Sequence, residues 1–199
     1  AGISFIAVRG SAHFGAASYY SNLIAKENMI GFATTNTTQI MAAWGGSDKI
    51  LGNNPIAISV PKDGEPLVLD ISMSRVAGGK IKLYAKDNKK IPLGWGLDKE
   101  GRNTTDPNEV INGGAYLPFG EHKGYGLAVI LEILNGVLTG ASMLSETFSW
   151  WKYPERPLNL GHCFAAINIE DFIGLEEFSQ RLTRMSQEIK ASSPAEGSS

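Results

Sequence analysis

Short apolar runs alternate with longer periodic ones along this chain, and the alternation predicts an α/β protein. Five short runs bounded by turn-forming residues are typical of strands and lie at residues 3–8, 30–35, 57–60, 66–70 and 163–169. Apolar positions recurring every three or four residues predict helices at 16–28, 124–138 and 175–189. Because the order follows no strict strand–helix–strand rhythm, we expect a mixed β-sheet packed with helices.

The same pattern predicts which faces are buried. Residues 3–8 form a continuous apolar run, as expected for a short buried strand. In the first helix, Tyr20, Leu23 and Ile24 share one face. The helix at 124–138 is apolar over a wide arc, so we expect it to be buried against a sheet or a partner subunit.

Two segments do not fit a regular element. Residues 81–86 are compatible with a strand or with a helix end, and residues 87–122 are rich in turn-forming residues. Irregular connections of that length are more often functional than accidental. The last segment, 191–199, is polar and is predicted to be a flexible tail after a single core domain of residues 1–190.

Charge and composition exclude several classes of protein. Lys and Arg total 18 against 20 for Asp and Glu, a net charge of −2, which argues against a nucleic-acid partner. The single cysteine, Cys163, lies in an apolar run and is expected to be a buried, inert thiol. No apolar run approaches the roughly 18 residues that span a bilayer, and no signal peptide is recognisable. We therefore expect a cytoplasmic protein without a membrane partner.

A histidine stands where the first strand meets the first helix, in the sequence Ser11-Ala12-His13-Phe14-Gly15. Imidazole titrates near neutral pH, so His13 is a candidate for proton transfer. The local sequence is equally compatible with a capping or hydrogen-bonded structural histidine.

A second candidate is the sequence LPFGEHKGYG, which leads into the helix at 124–138. Lys123 falls at the amino end of that helix, where free N–H groups and the helix dipole favour an anion. The flanking glycines would let a phosphate approach the backbone. A Gly-rich turn with a solvated lysine is the alternative.

Polar side chains also follow the strand at 66–70, in the sequence DISMS. Ligands of α/β proteins gather at strand ends, although Asp and Ser are also common helix caps and turn residues. The chain has no G-x-G-x-x-G, no P-loop, no G-x-S-x-G and no metal-ligand spacing. A hydrolase that uses His13 with Asp70 or Glu121 would lack a recognisable nucleophile.

In order along the chain, SAHFG, TTNTT, GNNPIAISVP, VLDISMS, GGKI and LPFGEHKGYGLAVILEILNGVLTGA resemble one family. It is the malate/L-lactate dehydrogenase family of the second, non-Rossmann type, which includes ureidoglycolate, sulfolactate and diketogulonate oxidoreductases. The resemblance extends over nearly all of residues 1–185. It implies a homodimer that uses NAD or NADP to interconvert a small 2-hydroxy acid and a 2-keto acid, with a non-Rossmann cofactor-binding domain.

The resemblance also implies roles for individual residues. His13 matches the catalytic histidine of the family. Cofactor contacts are implied at Asn36, Thr37, Asp70, Ser72, Met73, Ser74, His122 and Lys123. Two positions depart from the usual pattern: Ala12 stands where the family often has Asn, and Asn53 where it often has Thr.

Family members carry a helical segment before the first strand and a further stretch after the last helix, and both contribute to the site. The resemblance therefore implies that this chain is the central cofactor-binding domain. A cofactor-binding or dimerisation module without activity of its own is the alternative. The particular acid, and the choice between NAD and NADP, stay open.

Overall fold

The structure is a computed structural model that describes residues 2–149 and 152–197. Its strands are β1 Ile3–Ser11, β2 Met29–Thr35, β3 Met41–Ala42, β4 Lys49–Leu51, β5 Ile56–Val60, β6 Leu67–Ile71 and β7 Leu160–Asn168. Its α-helices are α1 Ala17–Lys26, α2 Gly78–Lys86, α3 Pro107–Ile111, α4 His122–Glu132 and α5 Leu175–Lys190. Single π and 3₁₀ turns lie at Ile133–Val137, Leu144–Glu146 and Ile169–Asp171.

Five of the strands form the central sheet in the order β1-β7-β2-β5-β6. The α/β class is as predicted, but the sheet is antiparallel rather than mixed, since each neighbouring pair runs antiparallel. β1 and β2 point the same way and are joined through α1, as in a parallel unit. β7, from the far end of the chain, lies between them and pairs with both. This insertion converts the arrangement into an antiparallel sheet.

Helix α1 packs on one face of the sheet through small residues. Its buried positions are Ala17, Ser21 and Ala25, and the Ser21 and Ser59 hydroxyls are 2.7 Å apart. A Cβ at Gly31 would lie 2.4 Å from the Ser21 carbonyl oxygen, so the backbones of α1 and β2 approach too closely at this point for a side chain. The predicted apolar face is therefore only partly right, because Leu23 is 45% exposed.

Helix α4 and the π turn cover the opposite face. Neighbouring residues of β2 show this: Ala33 packs with Ala17, whereas the Thr34 hydroxyl accepts a hydrogen bond from Asn135 in the π turn. Of the wide apolar arc predicted for this helix, only the inward-facing side chains are buried. The outward side chains stay exposed, among them Leu127, Ile130, Val137 and Leu138.

The predicted burial of the first strand is wrong for this chain. Ile3, Phe5 and Ile6 are each at least half exposed, because β1 is an edge strand that few other elements cover. Helix α5 shows the same feature: it is amphipathic as predicted, yet Leu182 is its only buried residue in the described chain. Together with α4, these elements leave extended apolar surface on the single chain.

A second core lies beside the sheet. It contains side chains from the β3–β4 ribbon, from the connection between β6 and α2, from α2, α3 and α4 and from the long segment 87–122, including Met41, Met73, Ile81 and Val110. Residues 81–86 thus belong to a helix, and α3 is a short helix within the otherwise irregular segment. Within the described residues, no helix is long and apolar enough to cross a membrane.

Candidate active site

The candidate residues lie close together because one end of each of the five strands falls at the same edge of the sheet, the edge that runs across the strands. Thr35, at the end of β2, lies opposite His162 near the start of β7, and Ser11 lies opposite Leu160. On the other side of β2, Ile56 at the start of β5 lies opposite Ile71 at the end of β6. The His13 loop, the TTNTT segment, the GNNP turn and the DISMS segment therefore all leave the sheet at this edge.

His13 is exposed in the loop between β1 and α1. The Gly15 backbone N–H donates to its Nδ1 atom at 3.1 Å, so the neutral ring carries its proton on Nε2. His13 also lines a cavity of about 420 Å³. The other residues around this cavity are Ala12, Pro154, Arg156, Pro157 and Leu158. An imidazole and a guanidinium thus border one space large enough for a small organic acid.

Asp70 lies close to the same loop, although its role differs from a simple ligand contact. Its Oδ2 atom accepts a hydrogen bond from the Ser18 backbone N–H at 3.1 Å, in the first turn of α1. Asp70 therefore acts as a helix cap, the alternative interpretation of this side chain, and the helix that it caps lies far from it in the sequence. The contact holds the amino end of α1 against β6 and fixes where the His13 loop lies.

The TTNTT segment is held by a buried polar network. Asn36 is fully buried, donating to the Ser142 carbonyl at 2.7 Å and accepting from the Gly161 N–H at 3.0 Å. The hydroxyl of Thr37 donates to Asn53 at 2.9 Å. Asn36 is thus occupied in positioning the segment, while the partly exposed Thr37 remains available at its edge.

Asn54 and Glu132 form the centre of that network. Asn54 accepts from the Thr37 N–H at 3.0 Å and donates to the Glu132 carboxylate at 2.7 Å. The other carboxylate oxygen accepts from the Leu144 N–H at 2.9 Å. These contacts tie the GNNP turn and the TTNTT segment to α4.

The DISMS segment is fixed on both sides through its backbone. Met73 donates its N–H to the Asn53 carbonyl and accepts at its carbonyl from the Phe119 N–H. Its side chain is fully buried in the second core, so Met73 can only position its neighbours. Ser72 lies 3.2 Å from Ser74, whose hydroxyl donates to the Val76 carbonyl and whose side chain is buried. Ser72 is the more accessible hydroxyl.

The segment LPFGEHKGYG is held beside the DISMS segment by two backbone contacts. Ser74 forms an isolated β-bridge with Pro118, and the Arg75 backbone N–H donates to the Leu117 carbonyl. His122 and Lys123 are exposed in the first turn of α4, which contains no acidic residue and has no side-chain cap. Glu121 precedes them at φ 61°, a left-handed conformation that costs a non-glycine residue free energy. The exposed His122 and Lys123 side chains thus place two basic groups at this helix start, whereas the N–H groups of Lys123, Gly124 and Tyr125 are bonded to the carbonyls of the preceding turn.

Sequence reasoning missed three residues of this region, Glu132, Arg156 and His162, and placed Asn54 only as part of a turn. His162 is 2% exposed and forms a hydrogen bond of 2.8 Å with Thr35. Its place beside Cys163 in an apolar strand signalled burial rather than function. Cys163 is buried as predicted, and burial raises the pKa of its thiol to about 11, so it is inert near neutral pH.

This edge of the α/β domain brings together an exposed histidine, two exposed basic side chains at a helix start and accessible hydroxyls, groups that can bind a small anion and transfer a proton. The chain belongs to the malate/L-lactate dehydrogenase family, whose sequence profile it matches over residues 1–199.

Relatives of known name agree with this membership. The chain is 43% identical to a malate dehydrogenase of Pyrococcus horikoshii over 202 residues, which is 96% of this chain and 54% of that enzyme. It is 42% identical to an L-sulfolactate dehydrogenase of Methanocaldococcus jannaschii, covering 98% of this chain and 56% of the relative. The chain therefore spans about half the length of the curated relatives it matches.

Solved structures share the fold. The malate dehydrogenase of Entamoeba histolytica superposes with a TM-score of 0.92 at 32% identity, over 100% of this chain and 58% of that chain. The sulfolactate dehydrogenase of Methanocaldococcus jannaschii superposes with a TM-score of 0.89 at 42% identity, over 99% and 56%. The antiparallel sheet with α1 and α4 on its two faces is thus the fold of this family.

Proposed function

We propose that this chain forms the core of an oxidoreductase that uses NAD or NADP to interconvert a small 2-hydroxy acid and the corresponding 2-keto acid. The observation that carries the proposal is the convergence of the His13 loop and three polar strand ends at one edge of the sheet. Relatives named for malate and sulfolactate, both 2-hydroxy acids, support this substrate class.

The residues present fit a nicotinamide dinucleotide. Its pyrophosphate needs cationic partners, which the first turn of α4 offers in the exposed side chains of His122 and Lys123. Its ribose hydroxyls need small polar partners, and Thr37 and Ser72 present hydroxyls at the same edge of the sheet. Asp70, Asn36, Met73 and Ser74 shape this surface through the contacts described above.

When bound, the cofactor would supply or accept the hydride, and this chain's task is to orient the substrate and move one proton. In the oxidation direction the neutral His13 ring accepts the proton of the substrate hydroxyl on Nδ1, its unprotonated nitrogen, and the Gly15 N–H gives up its hydrogen bond to that atom. In the reduction direction the protonated ring returns it to the keto oxygen. Arg156, on the same cavity as His13, carries the planar donor pair that suits a substrate carboxylate.

Replacing Lys123 with glutamine tests the cofactor side. We expect NADH or NADPH to bind about 10-fold more weakly, the loss of one charge-assisted contact to phosphate. Fluorescence titration of the reduced cofactor measures the dissociation constant. Lys190→Gln, at the exposed end of α5, is the matched control and should bind as the unmodified chain does. Equal affinity for both variants would place the phosphates elsewhere.

We also propose a homodimer as the assembled form. The apolar side chains that α4 and β1 leave exposed, such as Ile130 and Ile6, are the kind of surface that a second copy covers. Light scattering should give a mass of two chains for the unmodified protein. Ile130→Glu, which places a charge among the exposed apolar side chains of α4, should shift the mass towards one chain. A monomeric unmodified protein would refute the proposal.

A further inference from the structure

A second histidine lies directly beneath the loop that carries His13. The His162 ring stacks on the Phe14 ring, with centroids 4.4 Å apart and planes inclined by 10°. Phe14 also stacks on Tyr20 from its other side, at 4.9 Å and 12°, and the Tyr20 hydroxyl donates to the Phe14 carbonyl. Phe14 is thus the middle of three stacked rings, and it is the neighbour of His13 in the chain.

The orientation of His162 is set by Thr35. The Thr35 hydroxyl is 2.8 Å from the His162 Nδ1 atom and faces the carbonyl oxygens of Asn36 and Gly161 at 2.8 and 3.1 Å. Because the hydroxyl has a single proton and two carbonyls to receive it, it accepts from Nδ1. The proton of neutral His162 therefore lies on Nδ1.

The other ring nitrogen distinguishes His162 from an ordinary core residue. Nε2 is buried and makes no hydrogen bond of ordinary geometry among residues 2–149 and 152–197, and the Ala12 backbone is the polar group that acts on the ring from the loop side. Burial lowers the pKa of His162; the Ala12 backbone opposes this shift and the charge of His13 adds to it. The ring is therefore neutral beside the loop, with one edge anchored to β2 and one face against Phe14.

We propose that His162 is a positioning residue for His13: anchored by Thr35, its ring holds Phe14 and thereby the orientation of the His13 imidazole. The inference rests on the proposed function, in which His13 transfers the proton. The chain of contacts runs from the TTNTT segment through Thr35, His162 and Phe14 to His13. It links the predicted cofactor-binding side of the site to its proton-transfer group.

Three variants separate the two contacts of His162. His162→Phe keeps a ring for the stack but removes the hydrogen bond, and Thr35→Val removes the same bond from the other side. His162→Asn keeps an N–H donor near the Nδ1 position but removes the stack. We expect each to lower kcat about 10-fold, with the KM for the cofactor unchanged, because misplaced catalytic groups act on the chemical step.

A double variant makes the test specific. His162→Phe and Thr35→Val remove one shared bond, and Thr35→Val also removes the hydroxyl from the Asn36 and Gly161 carbonyls, so the double variant should be no slower than Thr35→Val alone. A residue with only a packing role would lower the melting temperature and leave kcat of the folded enzyme within twofold of the unmodified value. That result would overturn the inference.

A measurement without turnover completes the test. Nitrogen-15 NMR of the histidine rings at pH 7 should place the His162 proton on Nδ1. Hydrogen exchange of the Gly15 amide, which donates to His13, should become about 10-fold faster in His162→Asn. Unchanged exchange, or a proton on Nε2 instead, would contradict the positioning role.

The two proposals fail in different ways. A His13→Ala variant that keeps its turnover would refute the proton-transfer role of His13 in the proposed function, while the exchange measurement would still report on the loop. An inactive His13→Ala variant together with fully active His162 variants would refute the positioning role alone.

Discussion

Replacing His13 with alanine is expected to lower kcat about 1,000-fold, within the range that a positioned general acid–base supplies. The reason is geometric: among the described residues around the cavity of Ala12 and Arg156, His13 is the side chain whose imidazole can both accept and donate a proton. The measurement is the rate of NADH or NADPH oxidation with a 2-keto acid, set against the unmodified enzyme.

The same variant should bind the reduced cofactor as before, because the residues proposed to hold the cofactor lie on other strand ends and on α4. Fluorescence titration supplies this control, and circular dichroism shows whether the fold is retained. A His13→Ala enzyme with more than a tenth of the original kcat would show that another group transfers the proton.

Replacing Asn54 with alanine should cost about 3 kcal/mol of the free energy of unfolding. The asparagine is fully buried, and its amide serves three partners: the Thr37 N–H, the Ala128 carbonyl and the Glu132 carboxylate. Alanine leaves all three in the interior with fewer partners, the carboxylate being the costliest of them. Urea denaturation followed by circular dichroism measures the change.

Asn108→Ala is the matched control, since Asn108 is exposed at the start of α3 and should change the stability by less than about 0.5 kcal/mol. If Asn54→Ala proved as stable as this control, the network would not be what holds the TTNTT segment to α4.

The strands were predictable because each forms a short apolar run that ends in turn-forming residues. The predicted runs at 30–35, 57–60 and 163–169 agree with β2, β5 and β7 to within a few residues. Burial was less predictable. The run at 3–8 is apolar in the manner of a buried strand, yet β1 is an exposed edge in the single chain.

The site was predictable only in part. A histidine after a strand and a lysine before a helix are local signals, so His13 and Lys123 could be singled out from the sequence. What brings the His13 loop beside the TTNTT segment is the pairing of β7 between β1 and β2, a contact across some 150 residues that no local pattern encodes. Asp70 illustrates the limit, because its partner Ser18 lies 52 residues away.

The buried polar residues escaped prediction for a related reason. Asn54 and Glu132 are separated by 78 residues, and each by itself resembles an ordinary turn or helix-surface residue. His162 lies in an apolar strand, where a histidine suggests only burial. Their roles follow from pairings that exist only in the folded chain.

The central claim is that these strand ends form one site for a nicotinamide cofactor and a 2-hydroxy acid. A crystal structure with bound NADH or NADPH tests it most directly. The account predicts the nicotinamide ring in contact with His13 and the pyrophosphate at the first turn of α4 beside Lys123. A cofactor bound away from this edge of the sheet, with its nicotinamide out of reach of His13, would contradict it.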